Sequence, residues 1–414
     1  MSKHIDSKVP KIRFKEFEDE WVEDRLDERV EFFTGLTYSP RNVQNGAGTL
    51  VLRSSNVKNG EIVNADNVYV DSKIVNSRNV EVGDIAVVVR NGSRSLIGKH
   101  AQIKTRMDNT VIGAFMTGIH SERPAFTNAL LDTPQFYKEI AKNLGATINQ
   151  ITTGAFKGMM FCFPIPTEQT KIGTYFRELN RLIELHRRKH DKLVTLKKAM
   201  LQKMFPQPGT TTPEIRFKGF SEPWEEATLG DLIPITSAAR VRKNEWTSSG
   251  IPFFRTSDVV SHYKGEDNVK AFISLDLYKK LSDKVGRIKR GDILITGGGS
   301  VGIPFLAQSD APLYFKDADL LWLKVPASID STYLYTFFSS VFFRKYLESI
   351  SHIGTIAHYT IEQAKKTPIG VPLQAEQQKI GTYFRTLDEL ISKHAIQLQK
   401  LKQIKSSCLE KMYV

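Results

Sequence analysis

The 414-residue sequence contains only two cysteines, Cys162 and Cys408. Their wide separation and the absence of paired cysteine spacing exclude a disulfide framework and a zinc site, so both thiols are expected to be reduced and buried. No apolar run approaches the roughly 20 residues that cross a bilayer, and the N-terminal residues lack the apolar segment of a secretion signal. The sequence therefore predicts a soluble cytoplasmic protein.

Motifs for catalysis and cofactor binding are also missing. The sequence has no G-x-x-x-x-G-K-[ST] loop for nucleotide phosphates, no Asn-Pro-Pro-Tyr or Asp-Pro-Pro-Tyr motif of amino methylation, and no His/Cys cluster for a metal. Residues 297–302 fit G-x-G-x-x-G, but residues 303–305 do not open the helix that a dinucleotide or S-adenosylmethionine loop requires. We therefore expect a binding component with no catalytic residues, no metal and no cofactor of its own.

Positive charge is what the sequence has in excess. The formal net charge is +13 at pH 7 and the isoelectric point is about 9.4. Such a balance favours a polyanionic partner, and nucleic acid is the leading candidate, although charge alone says nothing about the fold. The alternative at this point is a protein that is basic without binding a polyanion.

One heptapeptide, KIGTYFR, occurs at residues 171–177 and again at 379–385. The likeness continues through 171–205 and 379–413, where 17 of 35 aligned positions are identical. A second pair of anchors lies upstream, since PKIRFKEFEDEW at 10–21 matches PEIRFKGFSEPW at 213–224 in 7 of 12 positions. An internal repeat of this length indicates two copies of one structural unit.

Each repeated end-piece has the heptad pattern of a long helix. With Ile172 at position a, apolar residues recur along an a/d seam, and the second copy repeats the pattern from Ile380. Polar residues interrupt both seams at matching places, a device that fixes register in coiled coils; these predicted register residues are His186, Lys189, His394 and Gln397. We predict an antiparallel pair in which His186 faces Gln397 and His394 faces Lys189. The alternative is that each stripe packs separately on its own domain.

Between the anchors the two halves diverge, and only short echoes remain. Both GDIAVVV at 83–89 and GDILITG at 291–297 read as buried strands after a turn, while 131–145 and 331–350 read as helices in equivalent places. The predicted fold class is α/β, with two α/β domains in a pseudo-two-fold tandem repeat and two long helices pairing as an antiparallel coiled coil. The predicted segments are a first domain at 10–164, a central helix at 165–207, a linker at 208–212, a second domain at 213–372 and a C-terminal helix at 373–414.

Arginine, lysine, asparagine and glutamine recur in the predicted loops of both divergent middles. Such side chains read guanine or adenine edges or neutralise phosphate. The candidate DNA-binding residues of the first half are Arg41, Asn42, Arg53, Asn56, Lys58, Arg90, Asn91, Arg94, Lys99, Thr147, Asn149, Gln150 and Lys157. Those of the second half are Arg240, Arg242, Lys243, Arg255, Ser257, His262, Lys264, Lys316, His358 and Tyr359. For any one of them an ordinary solvated surface group is the alternative.

Two divergent middles, each closed by a repeated helix, resemble the specificity (S) subunit of Type I restriction-modification systems. The residues that carry the resemblance are Pro164, Glu168, Gln169, Lys171, Ile172 and Leu179, with Pro372, Glu376, Gln377, Lys379, Ile380 and Leu387. The resemblance implies that each middle is a target recognition domain reading one half of a split, asymmetric DNA site. It implies docking of two methyltransferase (M) subunits and of restriction/translocase (R) subunits, which would carry the S-adenosylmethionine, ATP and Mg²⁺. The assembled complex would be an adenine-N6 methyltransferase and ATP-dependent endonuclease.

Two alternatives from other classes stay open at the level of the sequence. A self-sufficient DNA methyltransferase or nuclease would need a cofactor or metal site that the motifs do not reveal. A coiled-coil scaffold that does not bind DNA would have no use for basic loops. Duplex DNA titrated at several salt concentrations separates the scaffold from a DNA-binding protein, because phosphate contacts make affinity fall steeply with salt.

Overall fold

The computed structural model describes residues 8–144, 149–207, 209–350 and 358–414. It divides into two compact units, Met1–Arg187 with Ile396–Val414, and Arg188–Ala395. This division runs through both long helices, whereas the predicted boundaries treat each helix as a segment of its own. Each unit is therefore built from one recognition-domain segment and parts of both helices.

The first unit contains two four-stranded sheets and two small two-stranded sheets. Its strands are β1 (Val22–Arg25), β2 (Glu31–Thr34), β3 (Val43–Gln44), β4 (Thr49–Leu52), β5 (Val57–Lys58), β6 (Glu61–Ile62), β7 (Val68–Val70), β8 (Ile85–Val88), β9 (His100–Gln102), β10 (Thr110–Ile112), β11 (Met116–His120) and β12 (Met160–Phe163). The larger sheets have the strand orders β10-β4-β7-β3 and β2-β11-β8-β9. Short helices α1 (Pro124–Leu130), α2 (Pro134–Asn143) and α3 (Thr153–Lys157) precede the long helix α4 (Pro166–Lys203).

The second unit also contains two four-stranded sheets. Its strands are β13 (Glu225–Thr228), β14 (Ile235–Thr236), β15 (Trp246–Thr247), β16 (Ile251–Phe254), β17 (Ala271–Ile273), β18 (Ile293–Thr296), β19 (Pro304–Leu306), β20 (Tyr314–Phe315), β21 (Leu320–Leu323) and β22 (Pro368–Val371). Its helices are α5 (Leu229–Leu232), α6 (Thr256–Lys264), α7 (Leu275–Val285), α8 (Ser331–Phe337), α9 (Val341–Ile350), α10 (Ile361–Lys365) and the long α11 (Gln374–Lys411). The strand orders are β14-β21-β18-β19 and β15-β17-β16-β20.

The two units share one topology. The order β2-β11-β8-β9 corresponds to β14-β21-β18-β19, and β3-β7-β4-β10 corresponds to β15-β17-β16-β20. In each unit one pair is parallel, β4 with β10 and β16 with β20. The predicted strands at 83–89 and 291–297 are confirmed as the buried strands β8 and β18. The repeat therefore continues through the middles, where sequence identity fades.

The predicted helix over 331–350 is two helices, α8 and α9. The backbone N–H of Phe343 donates to Ser340 Oγ at 3.2 Å, and Ser340 is fully buried. A serine in this position caps the start of a new helix by accepting from its first turn. The break at residues 338–340 therefore follows from a serine that the apolar pattern does not reveal.

The glycine of the doubled heptapeptide lets each long helix approach a short one. A Cβ on Gly173 would lie 2.6 Å from the Phe126 backbone nitrogen, at the start of α1. A Cβ on Gly381 would lie 2.1 Å from Thr332 Oγ1 in α8. Neither position leaves space for a larger residue, and the buried Ile172 and Ile380 precede these contacts. Packing of helix on helix thus explains part of the KIGTYFR identity.

A buried ion pair joins the two anchors of each repeat. Arg13 donates from Nε and Nη2 to the two carboxylate oxygens of Glu168, both at 2.8 Å. Arg216 makes the same bidentate contact with Glu376, at 2.7 and 2.8 Å. Both carboxylates are fully buried, and these hydrogen bonds raise the pKa of each arginine. Each half therefore has its N-terminal IRF segment, residues 12–14 or 215–217, held against the first turn of its long helix.

The glutamine beside each buried glutamate closes the preceding turn. Gln169 Nε2 donates to the Pro164 carbonyl at 2.8 Å, and Gln377 Nε2 donates to the Pro372 carbonyl at 2.9 Å. Both amides are buried, so the hydrogen bond satisfies donors that would otherwise be costly to bury. The repeated proline, glutamate and glutamine form one structural junction between domain and helix.

Opposite ends of the long helices meet within each unit. In the first unit Tyr413, after the end of α11, stacks on Phe126 at 5.5 Å and lies 6.0 Å from Phe176. In the second unit Phe205, after the end of α4, lies 5.9 Å from Tyr333 and 6.4 Å from Phe384. These aromatic residues, equivalent in the repeat, are buried. Each unit's core thus contains the start of one long helix and the end of the other.

Within the second unit, the two long helices α4 and α11 pair in antiparallel orientation. Lys197 Nζ lies 2.5 Å from Asp388 Oδ1, and the later Phe205 packs beside the earlier Phe384. In the first unit, Tyr175 Oη and Cys408 Sγ are 3.4 Å apart. Both cysteines are free thiols and half-buried, where the sequence led us to expect full burial. No helix among the described residues is both long and apolar enough to cross a bilayer.

The buried or half-buried stripe of each long helix alternates steps of four and three residues. In α4 and the turn after it, the stripe comprises Ile172, Phe176, Leu179, Ile183, His186, His190, Leu193, Lys197, Met200 and Met204. In α11 and the turn after it, the stripe comprises Ile380, Phe384, Leu387, Ile391, His394, Leu398, Leu401, Lys405, Cys408 and Met412.

This stripe corrects the predicted polar layer in part. His186 and His394 lie on it, whereas Lys189 and Gln397 are exposed. The prediction placed the next buried residue three positions after each a position, whereas in the structure it lies four positions after. Both steps reach apolar residues near the start of α4, so the pattern alone did not distinguish them. Lys189 and Gln397 are therefore not buried in the seam, and the prediction that they fix the register is not supported by their positions.

Removing one partner of a buried ion pair should destabilise the unit that contains it. We expect Arg216→Met to lower the free energy of unfolding by about 3–5 kcal/mol, because Glu376 would remain as an unpaired buried carboxylate. Arg13→Met should act similarly in the first unit. Urea unfolding of the full chain, followed by circular dichroism, measures the effect. Arg181→Met is the control, since Arg181 pairs with Glu178 on an exposed surface. Equal unfolding midpoints for Arg216→Met and Arg181→Met would contradict this interpretation.

Candidate DNA-binding loops

The first unit brings several predicted binding residues together at one end of its sheets. Asn91 Nδ2 donates to Ser54 Oγ at 2.9 Å, and Asn149 Nδ2 donates to the Gly92 carbonyl at 2.9 Å. Residues 90 and 150 form an isolated β-bridge. We call residues 53–58, 90–99, 114–115 and 149–150 the first loop cluster. Its members follow or precede the strand ends at β4, β8 and β11.

Cations project from this cluster into solvent. Arg90 is exposed, and its guanidinium lies 4.8 Å from the Phe115 ring centroid. Arg94, Lys58 and Lys99 are also exposed. An arginine held over an aromatic face keeps its outer N–H groups free for a planar acceptor. The first loop cluster therefore presents several exposed cations to an anionic ligand.

The second unit forms an equivalent second loop cluster from residues 255–264, 297–302, 316–319 and 358. The backbone of Gly297 donates to the Asp319 carbonyl and accepts from Tyr359, both at 2.8 Å. The Lys316 N–H donates to the Phe254 carbonyl at 2.8 Å. These loops follow or precede the strand ends at β16, β18, β20 and β21. Equivalent strand ends therefore carry several of the predicted residues in both units.

The glycine run in the second loop cluster serves packing and turn geometry. A Cβ on Gly297 would lie 2.7 Å from the Tyr359 carbonyl oxygen, and Gly299 has a φ of +71° that favours glycine. Residues 304–306 after the run form strand β19 and not a helix. The interpretation that G-x-G-x-x-G is not a nucleotide loop here agrees with this geometry.

Arg53 and Arg255 occupy one repeated motif with an internal role. Asn56 Oδ1 accepts from the Arg53 N–H at 2.9 Å, and Asp258 Oδ2 accepts from the Arg255 N–H at 2.9 Å. Arg53 Nη2 reaches the Asp66 carbonyl at 2.6 Å, while Arg255 also pairs with Asp258 through its side chain at 2.7 Å. Residues 52–57 (LRSSNV) and 254–259 (FRTSDV) are similar in sequence, and this shared turn explains the similarity.

Two predicted base-reading residues lie in the interior, and their assignment is corrected. Asn56 is fully buried, and its Nδ2 donates to the carbonyls of Val63 and Ala65 and to Asn67 Oδ1. Tyr359 is 1% exposed, its hydroxyl bonds Thr367, and burial raises its pKa. Satisfied, buried groups of this kind stabilise the fold and do not reach a ligand.

Other predicted residues lie apart from the loop clusters or outside the description. Arg41 is exposed beside Asn42, whose Oδ1 accepts from the Ser39 N–H at 3.0 Å. Lys157 lies on α3, 5.9 Å from the Phe32 ring. Arg240, Arg242 and Lys243 are exposed in the segment before β15. Thr147 falls outside the described residues.

The remaining predicted residues of the second unit differ in charge. His262 packs edge-on against Phe305 at 4.9 Å, and desolvation lowers its pKa, which favours the neutral imidazole. Lys316 Nζ pairs with Asp319 Oδ2 at 2.5 Å. Ser257, Lys264 and His358 are exposed. Gly298 lies close to His358 and Asp319, since a Cβ there would be 3.7 and 3.3 Å from them.

Sequence reasoning missed a polar cleft of about 420 Å³ beyond the end of β2. It is lined by Phe33, Thr34, Gly35, Thr37, Asn76, Ser77 and Arg78. Arg78 lies 4.1 Å over the Phe33 ring, and its Nη2 pairs with the buried Asp84 at 2.5 Å. No sequence pattern marks this cleft, because its lining comes from two separated segments of small polar residues.

Within the residues that the structure describes, no group of three or more His, Cys, Asp or Glu side chains could hold a metal ion. The exposed cations, amides and hydroxyls of the two loop clusters lie beside a few carboxylates, such as Asp319, which pairs with Lys316. Such groups can bind phosphate oxygens and base edges.

Comparisons with known proteins indicate which proteins this chain resembles. Residues 221–405 match the family model of the Type I restriction modification DNA specificity domain. A putative type I restriction enzyme specificity subunit of Haemophilus influenzae is 30% identical over 169 residues, covering 40% of this chain and 41% of that protein. The Type I restriction enzyme StySPI specificity subunit of Salmonella potsdam is 24% identical over 215 residues, covering 50% of this chain and 46% of that protein. The matches span under half the length of each relative.

A solved structure extends the likeness to the whole chain at the level of the fold. The S subunit of a Type-I restriction-modification system from M. genitalium has a TM-score of 0.59 and 15% sequence identity, over 98% of this chain and 99% of that one. The protein thus has the tandem α/β fold of S subunits. The family-model match over residues 221–405 and the named relatives confirm the resemblance to Type I specificity subunits that the doubled helix indicates.

Asn56→Ala should destabilise the first unit, because it would leave three acceptors and one backbone N–H without a buried partner. We expect a loss of about 1–3 kcal/mol in the free energy of unfolding. Arg94→Ala, at an exposed position of the same loop cluster, should leave thermal unfolding unchanged. Calorimetry of both variants measures the difference. An Asn56→Ala chain that melts like wild type but recognises an altered DNA motif would return Asn56 to the base-reading residues.

Proposed function

We propose that the chain is the sequence-specific DNA-binding component of a Type I restriction-modification complex, with each unit reading one half of a bipartite asymmetric site. The observation that carries this proposal is that one scaffold occurs twice with different loops. The strand orders of the two units coincide, while the loop clusters at the same strand ends carry different side chains. Identical readers would specify identical half-sites, so these loops specify two different ones.

The exposed side chains of each loop cluster suit complementary parts of DNA recognition. In the first loop cluster, Arg90 and Arg94 can bind guanine O6/N7 or phosphate, while the half-buried Asn91 bonds Ser54 and Ser93 and holds the loop that carries them. In the second, Lys264 and Lys316 supply cations, and His358 supplies a short hydrogen-bonding group. The positive net charge of the chain favours encounter with DNA in both cases.

Methylation and cleavage would come from partner subunits in this proposal. The known relatives are named as specificity subunits, and no catalytic motif occurs in this chain. Two methyltransferase subunits would bind S-adenosylmethionine, and restriction subunits would use ATP and Mg²⁺. The chain itself would be non-catalytic and would recognise the DNA sequence.

Titration of duplex DNA at several salt concentrations tests the proposal with the chain alone. The wild-type chain should bind DNA with an affinity that falls as salt rises, by a slope of about −0.9 in log K against log salt for each phosphate contact. Arg90→Ala with Arg94→Ala should make this slope shallower. Arg181→Ala, an arginine on the exposed part of α4, is the matched control. Binding that is absent, or insensitive to salt, would favour the scaffold without DNA-binding activity.

Exchange of one recognition segment tests whether the two units read independently. Replacing residues 10–164 with the equivalent segment of a relative should change one half of the methylated motif and leave the other half intact, since the second unit keeps its own loop cluster. Sequencing of methylated genomic DNA from cells carrying the full system measures this. A change in both halves would show that the two units are not independent readers.

A further inference from the structure

The end of β8 joins three segments of the first unit through backbone hydrogen bonds. The Val89 N–H donates to the Phe115 carbonyl at 3.1 Å, and the Val89 carbonyl accepts from the Ile151 N–H at 2.9 Å. Arg90 and Gln150 form a β-bridge directly beside these contacts. Arg90, Phe115 and Gln150 are therefore neighbours at one strand end.

The end of β18 joins the equivalent segments of the second unit in the same way. The Gly297 N–H donates to the Asp319 carbonyl, and the Gly297 carbonyl accepts from the Tyr359 N–H, both at 2.8 Å. A Cβ on the next residue, Gly298, would lie 3.3 Å from Asp319 Oδ1 and 3.7 Å from His358 Nδ1. The equivalent pairs, which we call the strand-end positions, are Arg90 and Gly298, Phe115 and Asp319, and Gln150 and His358.

The first unit holds the arginine at its strand-end position in a defined direction. The Arg90 guanidinium lies 4.8 Å from the Phe115 ring centroid, and the Arg90 N–H donates to the Phe115 carbonyl at 3.2 Å. The next residue, Asn91, is fixed by its bonds to Ser54 and to the Ser93 N–H, at 2.9 and 3.0 Å. Bidentate recognition of a guanine edge needs a guanidinium of fixed orientation, because both acceptors must be met at once.

The other exposed cations of the first loop cluster lack this support. Lys58, Arg94 and Lys99 are exposed, and among the described residues none of them contacts an aromatic ring or an acidic side chain. A mobile cation suits phosphate, since attraction to the DNA backbone depends on charge more than on direction. Arg90 is therefore the cation of this cluster that is best placed to read a base.

The second unit carries the opposite charge at the equivalent point. Gly298 is buried and has no side chain, so Asp319 and His358 are the polar groups there; Asp319 is half-buried and His358 is exposed. Asp319 pairs with Lys316 at 2.5 Å, which offsets the repulsion between a carboxylate and DNA. Its two oxygens have several acceptor sites, so the ion pair leaves capacity for a further donor. In the major groove that donor is the N4 amino group of cytosine.

From these observations we propose that each unit reads one G·C pair of its half-site at the strand-end positions. Arg90 donates to guanine O6 and N7, with Phe115 as the positioning residue that holds its guanidinium. Asp319 accepts from cytosine N4 in the other half-site. The inference rests on the proposed function and adds a base identity to each half-site. Both half-sites should therefore contain a G·C pair.

The methylated motif of single variants tests the assignment in the complex of the chain with the methyltransferase subunit of its own system. Arg90→Ala should relax one G·C position of one half-site, with discrimination against other bases lowered roughly tenfold or more. Asp319→Ala should relax a G·C position of the other half-site. Arg94→Ala should keep the motif, weaken binding to all sequences alike and reduce the salt slope by about one.

Substituted DNA tests the same contact without altering the protein. Replacing each guanine of the half-site in turn by 7-deazaguanine removes N7, and one such replacement should weaken binding by the wild-type complex roughly tenfold. The same replacement should have no effect on the Arg90→Ala complex, which has already lost the donor. Phe115→Ala should relax the same position less than Arg90→Ala, because the guanidinium remains but loses its support.

The matched control is Arg181→Ala, which removes an exposed arginine of α4 in the same unit and should leave motif and affinity unchanged. Thermal unfolding of all variants should match wild type. A half-site made only of A·T pairs, an Arg90→Ala complex that keeps every base preference, or relaxation of the same half-site by Arg90→Ala and Asp319→Ala would overturn the inference and leave the proposed function standing. A wild-type complex that does not bind DNA would contradict the proposed function itself.

Discussion

The bidentate contact between a buried arginine and a buried glutamate is the constraint on which each half of the molecule depends. Arg13 with Glu168 and Arg216 with Glu376 join segments about 155 residues apart in sequence, at the junction where domain ends and helix begins. A buried carboxylate is costly unless its charge and hydrogen bonds are matched, so the pair specifies one arrangement of strand, turn and helix. The neighbouring glutamine and glycine of the repeat complete that junction.

A junction of this kind leaves the far end of each sheet free to change. Hydrogen bonds between the loops stabilise the loops at the ends of β4, β8, β16 and β18; the bond from Asn91 to Ser54 is one example. An exposed cation there, such as Arg94, is not a partner in either buried ion pair. This separation of a constant junction from variable loops is what a modular reader of DNA sequence requires, since specificity can change without loss of fold.

The predicted binding residues show which inferences from sequence were reliable. Position after a buried strand placed Arg90 and Asn91 in a loop, as the structure has them after β8, whereas Asn149 lies between α2 and α3 and reaches the same loop cluster through its hydrogen bond to Gly92. Residue type was less informative, since Asn56 and Arg255 have the chemistry of base readers but satisfy internal hydrogen bonds. The cleft around Arg78 carried no sequence signal, because its two segments approach only in the folded chain.

The sequence by itself determined the repeat, the two long helices and the resemblance to specificity subunits, since identity over 17 of 35 positions and a regular apolar pattern are visible without any knowledge of contacts. Only the tertiary structure decided which side of each helix is buried. Tyr175 and Phe176 are both aromatic, and Leu182 and Ile183 are both aliphatic. The residues three and four positions after each a position were therefore equally apolar in the sequence. Packing against the short helices and the opposite helix end selected the four-residue step, and with it moved Lys189 and Gln397 to the surface.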